Sequence, residues 1–185
     1  SFLLIFLLIL FVFRFKSGES ATLFENAVEV DSINHSITDV NSKNQGAMIS
    51  RKPWDSTQGF FNGKISEIRI YDRGLLNSEI QKLYEWGNGD YARPLNDQNS
   101  SSAVSHWKFD GNVDDFWNSY SSTDETSSGY DNGVRGQSKI FDSSQNDYVL
   151  MNSGNSLSED FTSTGLTISS LVKTNSTGAR KTIWA

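Results

Sequence analysis

The sequence predicts an all-β domain with one short helix, and three observations carry that prediction. Hydrophobic residues make up 36% of the 185-residue chain and aromatic residues 12%, enough to bury a core. Fourteen glycines and long Ser, Asn, Asp and Thr stretches separate short apolar runs, the pattern of many turns and short strands. Residues 75–86 alone switch to a helical period. The length admits one sizeable domain or two small ones.

The chain opens on an apolar run, residues 2–13, followed by Arg14 and Lys16. The run is shorter than the about 20 residues that span a bilayer. A signal peptide would place its basic residues before the apolar stretch, and there is no initiating Met, so the chain reads as a piece that begins inside a longer protein. "LFVFRF" predicts a strand, and the residues before it stay open between strand and helix; association of the apolar run with a membrane is left open too. The polar Ser17-Gly18-Glu19-Ser20 then makes a turn into a second apolar run, a hairpin. Residues 31–45 lack periodicity and read as mostly loop, before a short strand at "GAMIS".

Asn62-Gly63 signals a turn, and residues 64–71, "KISEIRIY", alternate with the two-residue period of a strand. That alternation puts Ser66, Ile68 and Ile70 on one face. Ile65, Glu67, Arg69 and Tyr71 fall on the other, which Glu67 and Arg69 would make partly wet. Leu76, Ile80, Leu83 and Tyr84 then fall at helical spacing, Asn77 or Ser78 can cap the amino end, Glu79 meets the helix dipole, and Gly87 terminates. So short a helix must lie against the sheet to be stable. Residues 89–103 hold one of the two prolines and a polar run, and read as a linker. Beyond it "VSHWKF" alternates as a strand with Trp107 and Phe109 on one face and His106 on the other, wetter one. Turn-rich sequence follows to Asn132, and then three strand-like runs: "GQSKIFD", "DYVLM" and "GLTISSLVKT".

Charge narrows the function classes. Basic and acidic side chains number 9 against 10 over residues 1–88 and 6 against 10 over residues 104–185, within a net charge of −6. Nucleic-acid binding needs a basic face, and the counts offer none. With no cysteine, disulfides, thiolate metal sites and cysteine catalysis are excluded. Three N-x-S/T triplets, at Asn34, Asn99 and Asn175, would accept glycans only in a eukaryotic secretory pathway.

The wording of two stretches carries a family resemblance. Phe61, Gly63, Ile65, Glu67, Ile68, Arg69, Ile70, Tyr71, Arg73, Leu75, Glu79, Ile80, Leu83 and Tyr84 match, at fixed spacing, the carboxyl end of the laminin-G-like or concanavalin A-like lectin superfamily. Ser66 stands where that superfamily usually has Asp. "HWKFDGNVDD", "GVRGQSKIFDSSQNDYV" and "LTISSLVKT" resemble its amino end in the same order, with Leu171 in place of an expected Trp. The resemblance implies an antiparallel two-sheet jelly-roll sandwich, incomplete or circularly permuted, with the short helix near residues 77–86. It implies the following division: an apolar segment and turn at 1–20, the carboxyl part of one domain at 21–88, the linker at 89–103, and the amino part of a second domain at 104–185. A half jelly roll leaves unpaired edges and an uncovered apolar face. The two parts either dock on each other or lie as separate incomplete sheets.

Three chemistries follow. Family 16 glycoside hydrolases share the sandwich and carry Glu-x-Asp-x-x-Glu, because a retaining mechanism needs two carboxylates about 5 Å apart. "KISEIRIY" supplies only Glu67, a groove or sheet-surface residue on this reading, and with two histidines and no Gly-x-Ser-x-Gly elbow a serine triad fares no better; the chain reads as no enzyme. Calcium is implied by the resemblance, with Asp110, Asp114 and Asp115 as hard oxygen ligands, against the alternative that Asp110 caps a turn. Trp54, Trp117, Tyr120 and Tyr130 lie in Asn- and Ser-rich surroundings suited to stacking on sugars, or else pack under loops. The expected function is extracellular or cell-surface recognition without catalysis, of carbohydrate or a protein partner; the alternative is an accessory module of a polysaccharide-degrading enzyme.

Overall fold

Two antiparallel sheets and one helix make up the protein, in a computed structural model that describes residues 9–38, 47–51, 59–87, 103–117, 120–134, 136–152, 165–174 and 183. The strands are β1 (Ile9–Lys16), β2 (Ser20–Glu25), β3 (Val28–Asn34), β4 (Ala47–Ile49), β5 (Gly63–Tyr71), β6 (Ala103–Trp107), β7 (Ser121–Glu125), β8 (Tyr130–Asn132), β9 (Gln137–Phe141), β10 (Tyr148–Asn152) and β11 (Gly165–Thr174). The helix α1 is Asn77–Gly87. An eight-stranded sheet runs β3-β2-β1-β11-β5-β9-β8, with β6 also on β5; a three-stranded sheet runs β4-β10-β7. This is the expected all-β sandwich with one short helix. Among the described residues no helix is long and apolar enough to cross a membrane.

The hairpin β1–β2 and the strands β5, β9, β10 and β11 arise where alternating apolar residues predict them. Strands from before residue 89 and from after residue 102 interleave: β11 lies between β1 and β5, and β9 and β6 follow one another along the other edge of β5. The two stretches with family-like wording therefore close on each other in one sheet.

Sidedness is set by register. Ile68, Ile70, Leu166 and Val172 join Phe61, Trp107, Phe109 and Phe141 in a core against Ile49, Val149 and Met151 of the small sheet. The opposite face of the large sheet packs Leu10, Val12, Phe24, Tyr71 and Leu171 against Leu75, Ile80 and Leu83 of α1 and its approach. Because β1 is covered on both sides, its apolar run has no polar alternation except Arg14 and Lys16.

Strict alternation along β5 is broken. Val172 pairs with Ile65 and Leu171 with Glu67, so Ser66 is the extra residue of a β-bulge. The bulge moves Ile65 onto the core face with Ile68 and Ile70, and leaves Glu67, Arg69 and Tyr71 on the face under α1. That face is not wet as expected: Glu67 and Arg69 are both buried.

Three further expectations are corrected. Residues 28–34 form β3, although part of that span reads as loop; every residue of β3 is exposed, so no buried side marks it in the sequence. β7, "SSTDE", lies at the rim of the small sheet inside the stretch read as turns, and its polar side chains give no apolar period. At the helix start Asn77 does not cap: its Oδ1 accepts a hydrogen bond from the Arg14 guanidinium at 2.6 Å. Glu79 caps instead, accepting from the Leu76 N–H at 2.8 Å while both its oxygens hold Arg73 at 2.7 Å. Thr167 of β11 ties the same approach down, donating to the Arg73 carbonyl and accepting from the Leu75 N–H.

Candidate functional site

A buried ionic cluster forms where β5 and β6 pair beside the end of α1. The register sets Arg69 opposite His106, and Glu67 lies two residues earlier on the same face. The Arg69 Nε donates to His106 Nε2 at 3.3 Å, and Glu67 Oε1 lies 3.3 Å from that same Nε. Glu67 Oε2 stands 3.2 Å from His106 Nε2. A ring nitrogen carries either one hydrogen or one lone pair, so Nε2 serves Arg69 or Glu67 but not both at once. The other ring nitrogen, Nδ1, is buried and has no hydrogen-bond partner among the described residues. His106 is therefore not the wetter-face residue that the alternation predicts; it is 1% exposed.

Burial alone would raise the Glu67 pKa, but the positive charge of Arg69 and the hydrogen bond with His106 outweigh it and hold the carboxyl below its ordinary range. Glu67 is thus held in its ionised form.

Aromatic side chains surround this cluster. The Arg69 guanidinium lies 4.2 Å from the centre of the Trp86 ring, at the end of α1. The His106 ring meets Phe116 edge-on at 6.0 Å and Trp117 at 5.6 Å. Asp115 puts those two rings there. Its Oδ1 accepts from the His106 N–H at 2.8 Å and the Trp117 N–H at 3.3 Å, and its Oδ2 from the Tyr120 N–H at 3.3 Å. The Phe116 N–H donates to the His106 carbonyl at 2.8 Å, so the loop folds back along β6. Phe116 remains 48% exposed, with the Lys108 ammonium 2.9 Å above its ring centre.

The other predicted site residues are dispersed. Asp110 sits in a turn where Phe109 and Gly111 take positive φ of 52° and 85°. Its Oδ1 accepts from the Gln137 N–H at 2.9 Å, and a Cβ at Gly136 (φ 64°) would come within 2.5 Å of that oxygen, so a side chain there would be strained and would push the Asp110 carboxylate aside. Asp114 is exposed, and Asp115 is buried with its carboxylate occupied as above. Among the described residues no three His, Asp or Glu side chains converge as a metal-binding group. Tyr120 is buried in the core, 6.4 Å from Trp107. Tyr130 is half-buried with the Lys139 ammonium 4.5 Å from its ring centre, and burial together with Asp124 and Asp114 pushes its pKa up to about 12. Trp54 lies outside the described residues.

Sequence reasoning found Trp117 but missed Arg69, His106, Phe116 and Trp86 as members of one site. Glu67 and His106 stand 39 residues apart, and only strand pairing joins them. A signal was present in "HWKFDGNVDDFW", which returns Asp-Phe-Trp after a Gly-containing turn. No protein-family model, curated protein or solved structure matches the chain.

Proposed function

We propose that the chain is a non-catalytic recognition module of a secreted or cell-surface protein, and that it binds carbohydrate through the Phe116–Trp117 platform. One observation carries this reading. Asp115 fixes two neighbouring aromatic rings over a charged cluster, and one of those rings is half exposed, with the Lys108 ammonium over one of its faces. Sugars bind through stacking of their C–H faces on such rings and through hydrogen bonds to fixed charged side chains, and Lys108, over one face of Phe116, supplies a donor while the other face is the one offered for stacking. Held below its ordinary range by Arg69 and His106, Glu67 lacks the raised pKa that a glycosidase general acid needs.

Polysaccharide pull-down and a glycan array with the whole chain test the proposal. Phe116→Ala is expected to weaken glycan binding by about tenfold or more, on the order of the energy of one stacked ring, while leaving the melting temperature nearly unchanged because the side chain is half exposed. Trp117→Ala is expected to abolish binding. Binding that survives both substitutions, or no binding to any glycan, turns the reading to protein adhesion.

A further inference from the structure

Two tryptophans close over the same pair of strands. Arg69 of β5 and His106 of β6 stand directly opposite one another, on strands about 4.8 Å apart, and both side chains lie on the face under α1. Trp86, in the last turn of α1, covers the first: the Arg69 guanidinium lies 4.2 Å from its ring centre. Trp117 covers the second, with ring centres 5.6 Å apart, and Phe116 meets the same imidazole edge-on. From Trp86 to Trp117 the contacts run without a break, 4.2 Å to Arg69, 3.3 Å on to His106 and 5.6 Å on to Trp117. The helix end and the loop after β6 therefore present their aromatic rings on one continuous surface.

Neither tryptophan is sealed in. Arg69 and His106 beneath them are each 1% exposed, whereas Trp86 and Trp117 are both half-buried. Arg69 occupies one face of the Trp86 indole, so the part of that ring left exposed lies away from the strand. The cation also fixes the plane of the indole, because their attraction is strongest with the guanidinium over the ring. Trp117 is fixed independently, through its N–H on Asp115. Rings already held in place lose little conformational freedom when a partner stacks on them.

We propose that Trp86 is a second sugar-stacking residue, and that the glycan bound at the Phe116–Trp117 platform is an oligosaccharide long enough to reach across Arg69 and His106 to Trp86. The inference rests on the carbohydrate reading above and adds a length requirement to it. A short sugar occupies the platform alone. A longer chain engages both ends, and its second contact is intramolecular once the first is made, so affinity rises steeply at the length that first spans the two.

The probes are size series of β-glucan, xylan and mannan oligosaccharides, from disaccharide to hexasaccharide, titrated against the whole chain by calorimetry. In at least one series affinity is expected to rise about tenfold or more between the short and the long members. Trp86→Leu, which keeps an apolar cover on Arg69, should remove that rise: hexasaccharide affinity falls about tenfold, and disaccharide affinity changes by less than about twofold. Trp86→Phe, which keeps a ring, should restore most of the loss. Phe116→Ala should instead weaken every length. A Trp86 that acts only by holding Arg69, and through it the platform, would weaken all lengths alike. Equal losses across the series, or an affinity in the parent chain that does not depend on length, would overturn the inference and leave the carbohydrate reading standing. No binding of any series would overturn both.

Discussion

Toward the small sheet, β5 and β11 present Ile65, Ile68, Ile70, Leu166 and Val172, whereas toward α1 the same two strands present Glu67, Arg69, Tyr71, Thr167, Ser169 and Leu171. Both sides are buried. The inner one is largely apolar, with Ser170 its one buried polar member on these two strands, and rests chiefly on packing. The outer one mixes two apolar residues with groups that must each find a partner, and many do so through the segment leading into α1 and through His106. An apolar face tolerates loss in proportion to the volume removed, while a polar network fails when any one member is lost. The outer face therefore specifies where the helix and the loop after β6 sit, at the risk of stranding a charge.

The largest effect is expected on the inner face. Trp107 is fully buried there and donates from Nε1 to Ser122 Oγ at 2.8 Å. Trp107→Ala should cost about 3–5 kcal/mol in urea or guanidinium unfolding. A loss below about 1 kcal/mol would mean that the small sheet does not depend on this contact.

On the outer face Arg69→Met should cost about 3 kcal/mol, because it leaves Glu67 buried beside His106 without its permanent cation. Glu67→Leu combined with Arg69→Met should cost much less than the two single losses added together. Additive losses in that cycle would dissolve the contrast between the faces.

Acid titration sharpens the same contrast. The folded Glu67 carboxyl titrates below its ordinary 4.5, so its contribution to stability is complete above that pH and is lost as the pH falls through the lower folded value. The melting temperature should therefore decline more steeply below pH 4.5 in the parent chain than in Glu67→Gln. Parallel acid limbs would show that other carboxyls carry the acid sensitivity.

The smallest effect belongs to the helix start. Glu79→Ala removes the bond to the Leu76 N–H and the paired Arg73, both partly exposed, and should cost about 1 kcal/mol, read as a small shift in the unfolding midpoint.

Much of this framework was legible in the sequence. The hairpin, β5, β9, β10, β11 and α1 each carry a local period that survives folding, because each has at least one buried face with fixed spacing. β7 and β3 escaped because an exposed strand at a sheet edge imposes no such period. The site was less legible. Trp117 stood out as an aromatic among polar residues, but Glu67 and Arg69 read as a wetted strand face because nothing local announces a helix laid over them.

By itself the sequence determined the class of fold, the main strands and the one helix, since periodicity and turn residues act over a few residues. It also determined the acidic balance and the absence of thiol chemistry. Only the tertiary structure decided which strands became neighbours, that Ser66 would bulge and send Ile65 to the core, and that Glu67, Arg69 and His106 would share one buried site. The physical reason is that pairing register and burial are long-range: strands far apart in the chain must meet before a side chain has a face or a charge has its partner.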